Sequence, residues 1–251
     1  MKAGKMAAVL ACRNQSLRLY AKPLQTLDVK TGLTILDFLI RQLKQIPILS
    51  GIVLAISEKE ENAVYRTVAR RHEIPFVIGD DHDALGRLLR GAESVQADQV
   101  FRVTTESPYC YLDNLEEVYR HHCDNGLDHS VILGVPDGAY YEIIRYDALK
   151  KSWELGEKRH RSEFCTSYIH EHPDQFKIKK QGVPEEVRSG DVRLTVDWPE
   201  DLIVLRRVYE DLRLNPDKPV SIEKIIAYLR SHPEINALNN RIDSGAGRIW
   251  Y

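Results

Sequence analysis

The chain has 251 residues, 43% of them apolar and 29% charged, which suits a globular protein with one good-sized α/β domain or two small ones. A formal charge of −2 and an isoelectric point near 6.5 give no overall basic field, so no nucleic-acid partner is expected and any phosphate site has to be local. No run is long and apolar enough to span a bilayer, and no apolar stretch with a cleavage site follows the N-terminal lysines, so neither a membrane span nor a signal peptide is expected.

The four cysteines, Cys12, Cys110, Cys123 and Cys165, are scattered without a C-x-x-C spacing. That argues against a disulfide framework or a zinc site and for reduced thiols in a cytoplasm. His121 and His122 beside Cys123 are consecutive on an expected helix. They splay around it and read as a surface pair.

In chain order, Ala7–Ala11 is an uncharged, buried strand. It opens abruptly into a loop carrying Arg13, Ser16, Arg18 and Lys22. Residues 34–46 read as a helix with Ile35, Leu36, Leu39, Ile40 and Leu43 at helical spacing and Thr34 as its cap. Residues 51–56 read as a β-branched strand. Residues 59–72 read as a polar helix with Ala63, Val64, Thr67 and Val68 facing inward. A strand over 75–78, a helix over 83–95 capped by Asp83, a strand over 99–103, a helix over 112–123 and a strand over 130–133 follow. Strands alternating with helices mean βαβ units, hence an α/β fold with a mainly parallel sheet. Right-handed crossovers then bring loops 12–22, 57–58, 79–83 and 104–109 to one crevice.

Beyond the Pro136-Asp137-Gly138 turn the pattern loosens. Residues 140–146 read as a strand, 147–155 as a helix, 156–163 and 179–191 as loops, 192–196 as a strand and 199–212 as a helix. Ile222, Ile225, Ile226 and Leu229 form one apolar helical stripe, expected to dock on its own domain, with a homodimer interface as the alternative.

Three groups of residues are placed to carry chemistry. Three cations and a hydroxyl just after an apolar strand suit a polyphosphate, since arginine offers a planar fork and lysine a point charge, with a solvated basic surface loop as an equal alternative. Asp80, Asp81 and Arg87 surround the start of a helix, where a solvated helix end is an equal alternative. Asp197 precedes Glu200 by three residues, a spacing that also fits a capping box. No G-x-G-x-x-G follows the first strand, which disfavours a dinucleotide dehydrogenase.

The run R-x-x-S-x-R-L-x-x-K formed by Arg13, Ser16, Arg18, Leu19 and Lys22 resembles the opening of the cytidylyltransferases that make CMP-activated sugars. The resemblance is to the branch named for spore coat polysaccharide biosynthesis protein F, related to CMP-Kdo and acylneuraminate cytidylyltransferases. It continues through LTVDWPEDL and HPEINALNNRI. The family's Pro-Gly before the lysine is Tyr20-Ala21 here, and its Gly-Asp-x-Pro turn reads Thr105-Glu106-Ser107-Pro108. An expected Asp-x-Glu pair keeps Glu142 but has Tyr140 for its first acid. Glu163, Thr166 and Tyr168 match a later run in which Phe164 and Ser167 replace a histidine and a proline.

The resemblance implies a Rossmann-like nucleotidyltransferase core with a nucleotide-binding half over about 1–135. It also implies an acceptor-binding and dimerisation half over about 136–215, including a β-rich excursion across the crevice, and a C-terminal helical tail over 216–251. It implies transfer of CMP from CTP to an acidic sugar or similar small acceptor, with Mg²⁺ held by Glu106 and Asp197. Arg13 and Lys22 would join these two in catalysis. Ala11, Arg13, Ser16, Arg18, Lys22, Ser57, Gly79 and Asp81 would bind the nucleotide, and Arg87, Tyr140, Glu142 and Glu163 the acceptor. No protein nucleophile is implied. Changes concentrated in the acceptor half leave two rivals: a phosphonate or phosphorylated small acid as acceptor, and a catalytically silent nucleotide-binding homologue.

Overall fold

A computed structural model describes residues 4–242; Lys2 and residues 243–251 of the expected tail lie outside them. The chain opens with β1 (Met6–Cys12), then a short hairpin of β2 (Thr26–Asp28) and β3 (Leu33–Thr34). It continues into α1 (Ile35–Leu43), β4 (Leu49–Ser57), α2 (Val64–Arg71), β5 (Phe76–Gly79), α3 (Ala84–Ser94) and β6 (Gln99–Arg102). Next come α4 (Leu115–Asp124), β7 (His129–Leu133), β8 (Glu142–Arg145), α5 (Tyr146–Leu155), α6 (Ser167–Glu171) and β9 (Ile178–Gly182). The helices α7 (Pro199–Asp211), α8 (Ile222–Ser231) and α9 (Pro233–Asn236) complete it.

One seven-stranded sheet runs through the molecule in the order β5-β4-β1-β6-β8-β7-β9. Only β8 runs against its neighbours β6 and β7, so the sheet is mainly parallel, as the βαβ pattern requires. Side chains of β1 alternate between two cores: Ala8 and Leu10 pack on the face covered by α1, α2, α7 and α8, while Ala7 and Val9 face α3. Helix α3 lies close on β1 because Gly91 has no side chain; a Cβ there would stand 2.5 Å from Val9 Cγ1. Thr34 caps α1 in a capping box with Asp37, and Asp83 caps α3 by accepting from the Gly86 amide at 2.7 Å. The apolar stripe of α8 is buried on its own chain. Among the described residues no helix is long and apolar enough to cross a membrane.

Several local expectations are corrected. The segment 136–195 is not mainly β. It adds β8 and β9 to the common sheet and otherwise carries α5, α6 and two 3-10 turns. The expected loop over 179–191 begins inside β9, an edge strand whose lysines supply no apolar alternation to read. Residues 192–196 make only an isolated bridge between Asp137 and Arg193. Gly138, at φ 90, permits that approach, since a Cβ on it would meet the Thr195 amide nitrogen at 2.5 Å. In α2 the inward face is Tyr65, Val68 and Ala69, while Val64 is exposed, because a 3-10 turn at Glu60–Asn62 shifts the phase of the helix. His122 is not on the surface. It is wholly buried, with Nδ1 2.8 Å from Ser130 Oγ and Nε2 3.1 Å from Gln99 Oε1.

Candidate active site

The carboxyl ends of β1, β5 and β6 open onto one crevice, which Ser162, Glu163 and Cys165 also line. This is where an open α/β sheet places ligands. Ala11, Arg13, Ser16, Lys22, Asp81, Arg87, Glu106 and Glu163 all line it. Ser57, Gly79, Arg18, Asp197, Tyr140 and Glu142 do not, although Ser57, Asp197 and Glu142 are bonded to the lining residues Asp81, Lys22 and Arg102, and Gly79 lies against Arg87.

The basic loop is fixed at both ends. The Asn14 amide donates to Asn62 Oδ1 at 2.7 Å, and the Asn14 carbonyl accepts from the Ala21 amide at 2.8 Å. Tyr65 donates its hydroxyl to the Arg13 carbonyl at 3.2 Å. Ala21 sits at φ 51, in the left-handed region where glycine is at ease and alanine costs about 1 kcal/mol. The turn therefore survives without a glycine. Asn14 and Asn62 are contributions that the sequence did not announce; only their side-chain bonds to the neighbouring backbone reveal them.

The loop delivers its cations to carboxylates from distant segments. Lys22 Nζ and Arg18 Nη2 both lie 2.6 Å from Asp197 Oδ1, and Arg13 Nη2 lies 2.6 Å from Glu163 Oε2. Asp197 Oδ2 takes a third cation, Arg193 Nη2, at 2.6 Å. Burial works to raise the Asp197 carboxyl, but Lys22, Arg18 and Arg193 outweigh it and hold the group below the usual carboxylate range. The capping role that was the alternative for Asp197 is not seen. Asp201 takes it instead, with Oδ2 accepting from the amides of Asp197 and Trp198 at 2.8 Å each, and Glu200 is no part of it. Arg193 was missed as well. Its signal was the alternation in DVRLTVD, which puts Arg193 and Asp197 on one side.

Glu106 stands beside this cluster. Its carbonyl accepts from the Val196 amide at 3.2 Å, which sets the two carboxylate-bearing turns against each other. Among the described residues it has no ion-pair partner. Burial raises its carboxyl, Lys22 opposes the shift and Asp197 adds to it. The described residues contain no cluster of three or more His, Cys, Asp or Glu side chains able to hold a metal. Two neighbouring carboxylates do suit Mg²⁺, which commonly takes one or two carboxylates and completes its shell with substrate phosphates and water.

On the other side, Asp81 is almost wholly buried and ionised. Burial raises it, but Ser57 Oγ at 2.5 Å and Lys59 Nζ at 2.9 Å more than compensate. Ser57 thus acts by fixing Asp81 and does not face the crevice. Asp80 is exposed and accepts from the His82 amide at 2.7 Å, so it is not one of the crevice residues. Glu142 belongs to the core: it is fully buried, ion-paired with Arg102, 3.0 Å from His129 Nε2 and 3.0 Å from Thr166 Oγ1. A carboxylate engaged in this way, beneath the crevice floor, has no direct route to an acceptor. Arg102 carries the link upward, donating from Nη2 to the Glu163 carbonyl at 2.6 Å. Tyr140 is half-buried outside the crevice. Cys12 is buried and its thiol is pushed up by burial, which gives no support to a protein nucleophile.

The cytidylyltransferase family pattern matches residues 7–232. The chain belongs to the cytidylyltransferase family. The spore coat polysaccharide biosynthesis protein SpsF of Bacillus subtilis is 25% identical over 239 residues, covering 90% of this chain and 94% of that protein. A cytidylyltransferase from Leptospira borgpetersenii superposes with a TM-score of 0.84 at 21% identity, covering 96% of this chain and 99% of that one. A CMP:2-keto-3-deoxy-manno-octonic acid synthetase solved with CTP gives 0.62 at 15% identity, with 83% and 99% covered. These two likenesses show the nucleotidyltransferase fold. As a cytidylyltransferase, this chain is a nucleotidyltransferase enzyme whose basic loop, strand-end glutamate and Asp197 occupy one edge of that fold.

Proposed function

We propose that this cytidylyltransferase transfers CMP from CTP to a small acidic acceptor, with release of pyrophosphate, to make an activated sugar for surface polysaccharide. The observation that carries the reading is the meeting of the Arg13–Lys22 loop with Glu106 and Asp197 at the sheet's carboxyl edge. Names of similar proteins point the same way: spore coat polysaccharide synthesis for one, CMP-sugar synthesis with bound CTP for another.

In the reaction an acceptor oxygen bonds to the α-phosphorus, the bond to the bridging oxygen breaks, pyrophosphate leaves with the electron pair and the hydroxyl proton passes to water. Lys22, Arg13 and Arg18 meet the growing charge on the leaving oxygens. Each is held on a carboxylate in the free protein, so triphosphate entry exchanges carboxylate for phosphate at fixed donors without moving the loop far. Glu106 and Asp197 would hold Mg²⁺, which supplies charge neutralisation at the phosphates. Asp81, held by Ser57 and Lys59, borders the nucleotide side, and Glu163 the acceptor side. Four free thiols fit a reducing cytoplasm.

A phosphonate or phosphorylated acid as acceptor stays a second reading. It is favoured because Tyr140 and Glu142, expected at the acceptor, stand outside the crevice. Pyrophosphate release from CTP, UTP, ATP and GTP, measured with a panel of sugar acids and phosphorylated acids, tests both. CTP should be preferred and excess chelator should stop turnover. Equal use of all four nucleotides would overturn the proposal.

A further inference from the structure

Arg87 lines the crevice with no carboxylate ion-paired to it among the described residues. It is 2% exposed, and its Nε and Nη1 are buried without a hydrogen-bond partner among the described residues. Arg13, Arg18, Lys22, Arg102 and Arg193 are each ion-paired. The nearby carboxylate, Asp81, is committed to Ser57 and Lys59. A buried cation without a bonded partner is costly, and a bound anion would offset that cost. Among the described residues the Asp81 charge favours the Arg87 cation, but no group is bonded to its Nε or Nη1 and no carboxylate is ion-paired with it.

The route of the side chain is built in. Arg87 is in the first turn of α3, and its stem crosses the end of β5 directly over Gly79. A Cβ on Gly79 would stand 2.9 Å from Arg87 Cγ and 3.7 Å from Cδ. Any side chain at residue 79 would therefore displace the arginine. Gly79 has no positive φ to explain a glycine, so the clearance for Arg87 is the visible requirement. The crevice lining around Arg87 also includes Ser162, Glu163 and Cys165.

We infer that Arg87 is an oxyanion-binding residue of this crevice, its planar fork engaging two oxygens of a substrate carboxylate or phosphate, with Gly79 as the positioning residue that lets it through. The inference rests on the reading of the crevice as a CMP-transfer site and adds a demand to it: one substrate must bring an anionic group to the crevice floor. The anion comes either from the nucleotide α-phosphate or from the acceptor's own acid group, and lysine cannot reproduce the fork.

The variants are Arg87→Met, which keeps volume and loses charge, Arg87→Lys, and Gly79→Ala. Calorimetric titrations use cytidine, CMP and CTP, then inorganic phosphate added to CTP-saturated protein without acceptor. Arg87→Met should fold and melt at or above the wild-type temperature, since a buried charge without a bonded partner is removed. If the α-phosphate is the ligand, Arg87→Met loses CMP affinity at least tenfold while cytidine is unchanged. If the acceptor's acid is the ligand, CMP and CTP bind normally but phosphate binding to the CTP complex falls at least tenfold, and KM for an accepted acid rises with it. Gly79→Ala should repeat the same loss in weaker form, and Arg87→Lys should not restore wild-type affinity. Wild-type binding of CMP, CTP and phosphate by Arg87→Met would overturn the inference and leave the transfer reading standing. Failure of the wild type to bind CTP would remove the transfer reading instead. Phosphate titrated into the free protein, wild type against Arg87→Met, would then still decide whether Arg87 holds an oxyanion.

Discussion

Arg193 holds Asp197 from behind, Nη2 to Oδ2 at 2.6 Å, from a residue that is 3% exposed. The same guanidinium reaches Asp201 from Nε at 2.9 Å and is also ion-paired with Asp137. The two oxygens of Asp197 are thereby divided. Oδ2 is tied into the fold, and Oδ1 meets the cations of the basic loop. Asn239, from the residues after α9, adds a bond to Asp201 Oδ1 at 3.0 Å. A site oxygen is thus positioned by the turn at 136–138, the start of α7 and the C-terminal segment together.

Removing that cation should cost more than removing any cation of the loop. Arg193→Met leaves Asp137, Asp197 and Asp201 without their shared partner, and breaking a buried pair this way costs about 3–5 kcal/mol. Arg193→Lys should recover part of it, because one ammonium cannot serve three carboxylates with the geometry of a fork. Urea denaturation measures both, and a loss under about 1 kcal/mol would show that the network contributes no more than a surface pair.

Lys22 should behave in the opposite way. Lys22→Ala leaves Asp197 with Arg18 and Arg193, so the carboxylate is not orphaned and the melting temperature should move little. The rate should fall roughly a hundredfold if Lys22 stabilises charge on the leaving phosphates. Steady-state rates beside a melting curve separate the two effects. An unchanged rate would reduce the loop to a basic surface.

Much of this was readable in the residues, and the limits have physical causes. The parallel sheet followed from apolar runs alternating with helical stripes, and the crevice from the ends of those runs. The caps at Thr34 and Asp83 followed from single side chains with one local partner. Asp197 shows where reading stops. Its spacing from Glu200 looked like a cap, but which carboxylate turns back onto the helix start depends on Arg193, whose pull on Asp197 comes from the packed structure. Glu142 shows the same limit. A glutamate in an apolar strand can face a site or pair in the core, and the choice was made by Arg102 and His129 from other strands. Gly79 carried no local signal, because its reason is the path of Arg87 above it.

Acid should destabilise the fold through His122. Its burial lowers the imidazole from 6.5 to about 4, with His129 the next contribution. The depressed value means the unfolded chain binds the proton more readily. Its share of stability is therefore full above about pH 6.5 and is lost as pH falls toward 4, by up to about 3 kcal/mol. His170, also lowered to about 4 by burial, adds in the same window. Urea midpoints between pH 7.5 and 4.5 should fall, and His122→Gln should flatten part of the slope. An identical slope in that variant would assign the acid sensitivity elsewhere.

Glu106 and Asp197 should act as one unit. Their turns are joined by the Val196 amide on the Glu106 carbonyl at 3.2 Å, and the Asp197 charge is felt at Glu106. If both hold the same magnesium, Glu106→Ala and Asp197→Ala should each abolish nearly as much activity as the double variant, because residues serving one ion are not additive. The stability readout separates them. Asp197→Ala strips a partner from Arg193 and should lower the melting temperature, whereas Glu106 has no ion-pair partner among the described residues and its loss should leave stability unchanged or improved. Glu106→Asp is the finer test. It shortens the arm by one methylene while keeping the charge, in a turn whose Thr105 hydroxyl already ties it to the Ala11 carbonyl at 3.2 Å. With the turn anchored there, the shorter carboxylate should fall short of the ion, and the magnesium concentration for half-maximal rate should rise several-fold while kcat at saturating magnesium is partly restored. Magnesium dependence that is the same in wild type, Glu106→Asp and Glu106→Ala would show that Glu106 holds no metal, and would return this turn to the reading of a silent site.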